Sequence, residues 1–229
     1  MKTYRMNAVM AGALYITGTV AGVLSVVTVG GFPDETFLAR AADDPSAVAL
    51  GALLVLVMGL SLAAMTVFLY PLFRKDSEIL AMGMVLFRGA LEGTWYILTT
   101  LSWLLLGALG VAAVAAGADS AALQAGGDAV LQTSAKLGDV GTIAFLVGAS
   151  CLYASFYRTR LIPRWLSGWG LIAVVPFMMN ALLHYFDVDL GSGMGFLEAP
   201  LAAQEMVMAL WLIIKGFDPE AVERLDQAS

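Results

Sequence analysis

Long apolar runs separated by short polar clusters organise the chain. Met6–Gly30 and Ala47–Phe73 each exceed the ~20 residues that a helix needs to cross a ~30 Å hydrocarbon core, and Leu197–Ile214 approaches that length. Backbone polar groups in lipid must be satisfied within each segment, so these runs predict helices. A transmembrane β-barrel would show ~10-residue stretches of alternating apolar and polar residues, and none is present. The pattern predicts an all-α integral membrane protein with six transmembrane helices in a single domain, residues 1–229. The expected spans are residues 7–29, 47–73, 79–102, 137–157, 165–186 and 197–214, and residues 215–229 form a short cytoplasmic tail.

The third apolar stretch, Ile79–Ala118, is too long for one crossing. As a straight helix it would reach roughly 60 Å at 1.5 Å per residue, about twice the hydrocarbon thickness. The expectation is one crossing followed by an outer apolar extension, roughly Trp103–Ala116. It would be tilted, bent at Gly107 or Gly110, or laid in the interface, and packed against Ala121–Lys136. A small-residue loop, Gly117–Asp128, is expected next. Pro163 suits the first turn of the fifth helix. Asp218-Pro219-Glu220 is a helix-start pattern and predicts a short surface helix in the tail.

Basic residues sort by side. With the N-terminus inside, Lys2, Arg5, Arg74, Lys75, Arg158, Arg160, Arg164, Lys215 and Arg224 all fall inside, while only Arg40 and Lys136 fall outside. The outer loops carry Asp34, Glu35, Asp43, Asp44, Asp119, Asp128, Asp187 and Asp189. This is a strong positive-inside pattern, and it demands an odd number of crossings between Lys75 and Asp119. Both termini are therefore expected in the cytoplasm. Ala39-Arg40-Ala41 looks like a signal-peptide cleavage site, but the run before it is far longer than a ~7–15-residue signal core, so the first span is read as retained. The location implied is the cell membrane, multi-pass.

Composition narrows the chemistry. Charged residues make up 13% of the chain, against about 25% in soluble domains. The net charge of −6 gives no reason to expect nucleic acid as a partner. A single cysteine, Cys151, allows no intrachain disulfide or Cys-x-x-Cys site, and a single histidine, His184, allows no bis-histidine haem ligation. No His/Cys cluster offers a zinc site. The four lysines sit at or beyond span ends, which argues against a retinal Schiff base. No cofactor and no metal are expected.

The polar residues inside the spans are the informative ones, since a charge at the centre of a membrane helix costs ~2.5–3.5 kcal/mol on translocon scales and needs a partner. Arg88 and Glu92 lie four apart on the third helix, on one face that continues through Trp95 or Tyr96, Thr99 and Trp103. The fifth helix carries Pro176, Asn180, His184 and Asp187, the sixth Gln204 and Glu205, and the fourth enters with Lys136, Asp139 and Thr142. Counting the helical rise puts Glu92 roughly 20 Å and Asn180 roughly 24 Å from the inner side, and Glu205 roughly 12 Å from the outer side, in one layer. Arg88 lies about a turn deeper, with His184, Asp187 and Asp139 at the mouth. These positions predict an outward-open polar chamber whose binding residues are Arg88, Glu92, Tyr96, Asp139, Asn180, His184 and Glu205. The plainer alternatives are that Arg88–Glu92 is an intrahelical ion pair holding the fold, that Glu205 simply pairs with Arg88, and that His184 is an interfacial side chain. Met178, Met179, Met194, Met206 and Met208 are expected as core packing. Gly18-x-x-x-Gly22 fits close helix approach.

Four blocks carry a family resemblance. NAVMAGALYITGTVAGVLSVV (Asn7–Val27), LFRGALEGTW (Leu86–Trp95), YRTRLIPRWLSGWGLI (Tyr157–Ile172) and EMVMALWLIIKG (Glu205–Gly216) occur in an order that resembles the bacterial membrane family catalogued as domain of unknown function 4386. Arg88 and Glu92 fall in the third-span block. The family pattern commonly has a His-Asp pair entering the fourth span; here the segment reads Leu137-Gly138-Asp139, which matches the aspartate and not the histidine. The resemblance implies a six-helix membrane protein and supplies no activity. Three functions fit the residues: binding of a small molecule or lipid in the chamber, a structural or assembly role beside another membrane protein, and an intramembrane enzyme using Glu92 or Glu205 as acid/base. A non-enzymatic role is the preferred reading. The expected partners are membrane lipid, a small-molecule ligand, and a second copy of the chain or another membrane protein.

Overall fold

The protein is described here from a computed structural model covering residues 2–34, 36–188 and 197–228. Those residues form nine α-helices and no strand: α1 Lys2–Thr28, α2 Phe37–Asp43, α3 Pro45–Phe73, α4 Glu78–Met84, α5 Glu92–Ala116, α6 Ala121–Thr159, α7 Arg164–Tyr185, α8 Ala199–Ile214 and α9 Pro219–Ala228. A π-helical turn, Val85–Leu91, joins α4 to α5. By length and apolar character five helical runs can cross a membrane, and a sixth is added when α8 and α9, which meet at 82°, are counted as one broken span. Val23, Val27, Leu53, Val67, Ile172 and Val175 are all at least half exposed, as helices facing lipid require. Glu35, Asp189 and Met194 lie outside the described residues.

The third apolar stretch is one continuous helical run, Glu78–Asp119, as the charge parity demands. Gly107 and Gly110 lie inside the continuous helix and do not interrupt it. They are contact positions, Gly107 beneath Val48 and Gly110 beneath the Leu38 carbonyl, where a side chain has no room. The irregularity lies elsewhere, in the π turn that contains Arg88.

Two expectations about loops are corrected. The segment Gly117–Asp128 is a loop only over a 3-10 turn, Gly117–Asp119; from Ala121 it is already α6. Alanine, leucine and glutamine favour the helix there, and Gln124 bonds back to Ser120 through both backbone and side chain. The polar loop after α1 contains a short helix, α2. Phe37 and Ala41 stand one turn apart on it and are fully buried. Pro163 is the residue just before α7 rather than in its first turn.

The chain divides into two compact units, each described separately. Unit 2 comprises Gly18–Leu60 and Thr94–Gly138. Its core is Val29, Phe37, Ala41, Val48, Ala52, Val55, Trp103 and Leu106, with Val130 and Leu131 packed against it. Val130 and Leu131 of the Ala121–Lys136 segment thus pack on the core to which Trp103 and Leu106 of α5 belong. Gly22 receives Met58, in keeping with the close approach expected at Gly18-x-x-x-Gly22. Arg40 is committed to the loop itself, donating to the Gly30 and Phe32 carbonyls and to Asp34. Asp44 caps α3 by accepting from the Ala47 amide at 3.0 Å.

Unit 1 comprises Met1–Thr17, Ser61–Gly93 and Asp139–Ser229. Polar contacts fasten one end of it. Tyr4 and Lys75 both donate to Asp226 on α9, at 2.9 and 2.6 Å, and Arg158 pairs with Asp76 at 2.7 Å. These donors hold the Asp226 carboxyl below its ordinary value, and the hydrogen bond to that carboxylate raises the Lys75 ammonium above its own. Arg5 bonds the carbonyls of Ile213 and Ile214 at the end of α8, beside the left-handed Gly216. Helix α9 starts as expected, with Asp218 accepting from the Ala221 amide, and it buries Ala221, Val222 and Leu225. Met208 is core, whereas Met179 is 56% exposed, because an apolar side chain on a membrane helix gains nothing by turning away from lipid.

Candidate functional site

Four segments of unit 1 converge on one guanidinium. The π turn carries Arg88, α5 begins with Glu92, α1 brings Tyr15, and α8 brings Glu205. Arg88 Nη1 donates to Glu92 Oε2 at 3.3 Å; Nη2 donates to Glu205 Oε1 at 3.1 Å and to the Tyr15 hydroxyl. Tyr153, from α6, also donates to Glu205 Oε1, at 3.0 Å. The guanidinium carbon lies 4.4 Å from the Phe145 ring centre and 5.2 Å from that of Tyr15, within range of a cation–π attraction. Arg88 Nε is buried and has no hydrogen-bond partner among the described residues.

Local sequence explains how such a bulky group is accommodated. Gly148 faces the backbone of Arg88 so closely that a Cβ would fall within 3 Å of the Arg88 nitrogen and Cβ, so glycine lets α6 seat on the π turn. Gly170 likewise makes room for the Tyr153 ring. A π turn inserts an extra residue and rotates the following side chains relative to an unbroken α-helix. That is one reason the stripe drawn from Arg88 through Trp103 does not continue into a single face. Trp103 lies in the core of unit 2, and Tyr96 belongs to that unit, stacked on Trp95 with ring centres 4.7 Å apart and covering Gly59.

Burial separates the members. Arg88, Glu92 and Tyr15 are each 1% exposed and Tyr153 is fully buried, whereas the Glu205 side chain keeps 14%. Glu205 is thus the most exposed member of the group. The charges do not cancel if both carboxylates are ionised: one cation faces two acids. Gln204, next to Glu205, is fully buried; its Nε2 donates to the Leu166 carbonyl at 3.0 Å, and its Oε1 has no partner among the described residues.

The remaining expected site residues form two other contacts. His184 Nδ1 stands 2.6 Å from Asp139 Oδ1; the histidine side chain is 72% exposed and the aspartate 9%. The fourth-span entry lacks a histidine of its own, yet one meets Asp139 in space, from α7. Asn180 does not join Arg88 as the depth count predicts. It donates to Glu198 Oε1 at 3.2 Å, because α7 presents it toward the start of α8. Arg88, Glu92 and Glu205 are therefore brought together as expected, whereas Asn180 faces Glu198 instead. Tyr15 and Tyr153 were missed. Each is an aromatic residue in an apolar run, and sequence offers no sign that its hydroxyl points at a charge.

Among the described residues no group of three or more His, Cys, Asp or Glu side chains could hold a metal ion. No curated protein and no solved structure matches the chain. A family model does match, over residues 10–216, nearly the whole chain and including every residue of the Arg88 group, so the protein belongs to the family described as domain of unknown function (DUF4386).

Proposed function

We propose that this is a non-enzymatic membrane protein that binds a small molecule or lipid at the Arg88–Glu92–Glu205 group. The observation that carries this reading is the surplus acid. When both carboxylates are ionised, a guanidinium shared between them leaves one negative charge in excess, and a charge within a spanning segment is costly. A ligand bearing a cation or strong hydrogen-bond donors would match it at Glu205, the member with exposed surface. The exposed His184 beside Asp139 supports a chamber mouth lined by polar groups. The reading includes six spans in a bacterial inner membrane with both termini cytoplasmic. The basic clusters at Arg74-Lys75 and Arg158–Arg164 and the unbroken Glu78–Asp119 helix support that topology.

The test is to identify what the purified protein carries. Solvent extracts of wild type and Glu205→Gln, compared by mass spectrometry, should share all components except one, depleted in the variant. Circular dichroism should show both proteins equally helical. If no small molecule or lipid differs between the two, ligand binding at this site is refuted. The structural reading then takes its place. It has its own support, since Arg88 and Glu92 are each 1% exposed and are enclosed by Tyr15, Tyr153 and Phe145, as in a folding lock.

A further inference from the structure

A second polar site lies in unit 1, remote in sequence from most of the Arg88 group. The turn between α6 and α7 and the bend between α8 and α9 border an open cavity of about 500 Å³. Arg160, Arg164 and Lys215 line it together with Trp211, Phe217 and Asp218. Arg5, Lys75 and Arg158, basic residues of the same unit, are committed to a carbonyl or carboxylate. The three cations at the cavity are not: no carboxylate pairs with any of them among the described residues. Arg164 lies over the Tyr157 ring at 5.0 Å, which fixes its direction without using its N–H donors on an acid. Asp218, the acid on the lining, is already engaged, accepting from the Ala221 amide to start α9.

Two backbone features add to this. Arg160 is left-handed, with φ 58°, at the residue just after α6. Glycine is the usual occupant of such a position, since a Cβ is disfavoured there; an arginine in its place puts a guanidinium at the cavity at a conformational cost. Helix α7, 22 residues long, begins at Arg164 with no side-chain cap at Pro163, so its positive end is unscreened by a capping oxygen. Trp211 meets Trp165 edge to face, with ring centres 6.4 Å apart, and indoles settle at the level of lipid headgroups.

We propose that this cavity holds the phosphate of an anionic phospholipid headgroup. Three cations without acid partners and an uncapped helix N-terminus supply the recognition of a phosphate oxyanion. The indole and the Phe217 ring supply the apolar wall against which the glycerol ester packs. Basic pockets between transmembrane helices bind anionic headgroups by this chemistry. A general positive-inside bias accounts for the number of cations. It does not account for their gathering on one cavity, unpaired.

The test uses the full chain, delipidated in a neutral maltoside detergent, with bound lipid counted by native mass spectrometry. Phosphatidylglycerol should bind at least about tenfold more tightly than phosphatidylcholine of the same acyl chains, since two or more cations contribute about fivefold each. Arg160→Gln, Arg164→Gln and Lys215→Gln should each lower phosphatidylglycerol affinity about fivefold. All three side chains are exposed, so the variants keep the fold, which elution volume and helicity verify. Arg74→Gln removes an exposed cation of the same unit that does not line the cavity and should change affinity less than twofold. Equal binding of the two lipids overturns the proposal, as does an Arg74→Gln loss as large as that of the cavity variants. Millimolar inorganic phosphate is the third arm. If it displaces phosphatidylglycerol and protects the protein against heat as well as the lipid does, the site takes free phosphate and the lipid assignment fails. None of these variants touches Arg88, Glu92 or Glu205, so the result stands apart from the outcome at that group.

Discussion

Removing the guanidinium tests the Arg88 group most directly. Arg88→Met keeps much of the side-chain volume and removes the cation shared by two carboxylates, Glu92 at 1% exposure and Glu205 at 14%. At an effective dielectric near 20, a charge pair ~4 Å apart is worth about 4 kcal/mol, and breaking a buried pair by deleting one partner typically costs about 3–5 kcal/mol. Arg88 to Glu92 is 3.3 Å and Arg88 to Glu205 is 3.1 Å, so the loss should sit in that range, tempered where Glu205 can be hydrated or protonated. Glu92→Gln is a much smaller perturbation. Its amide oxygen still accepts from Nη1, and Glu205 still faces the guanidinium; the change from a charged to a neutral acceptor costs about 1 kcal/mol. The double variant Arg88→Met/Glu92→Gln removes one of the two acids along with the cation and should recover about 1–2 kcal/mol relative to Arg88→Met alone. Thermal and denaturant unfolding in a mild detergent reads all three. If Arg88→Met costs no more than Glu92→Gln, or the double variant shows no recovery, Arg88 does not compensate these acids and the argument from surplus charge collapses.

Gly148→Ala should destabilise by about 1–3 kcal/mol in the same assay, because its Cβ would meet the Arg88 backbone, which cannot give way as a flexible side chain could. Gly138→Ala, on the same helix with nothing within 4 Å, should be neutral or slightly stabilising; equal losses would refute the packing argument. The α9 latch should depend on pH with a defined sign. Asp226 is held below its ordinary 3.8 and Lys75 above its ordinary 10.5, so their contribution is present between those values. It is lost as pH falls through the lowered Asp226 pKa or rises through the raised Lys75 pKa. Asp226→Asn should therefore speed amide exchange in Pro219–Ala228 at pH 7, and unchanged exchange would show that the latch does not hold the helix. In a Cys151→Ser background, a membrane-impermeant thiol reagent applied to intact cells should label Ser120→Cys and Asp44→Cys but not Ser77→Cys or Glu223→Cys; the reverse pattern would invert the proposed topology.

The helices were legible because a bilayer imposes one simple rule, a long apolar run, and because charge parity constrained what hydropathy left open. Parity required one crossing between Lys75 and Asp119, and the unbroken Glu78–Asp119 helix agrees with it. The Arg88 group was legible only in its charged members. A charge in a span is conspicuous by its cost, so Arg88, Glu92 and Glu205 could be drawn together from different segments. Tyr15 and Tyr153 pay no such cost visibly, since a tyrosine fits an apolar run whether or not its hydroxyl finds a partner. Asn180 failed for the opposite reason. Depth along a helix was counted correctly enough to put it in the layer, but depth says nothing of azimuth, and rotation about α7 turns it to Glu198 instead. The same blindness to rotation applies at the π turn, where an extra residue shifts the phase between Arg88 and Trp103. A helical wheel drawn through that segment assumes a regular 3.6-residue period, and the assumption fails at Val85–Leu91, where the buried cation sits and where Gly148 lets a second helix press against it. Irregular turns of this kind concentrate at functional sites because they re-aim a side chain without breaking the helix. The departure from the sequence pattern is thus itself a reason to look for function at Arg88.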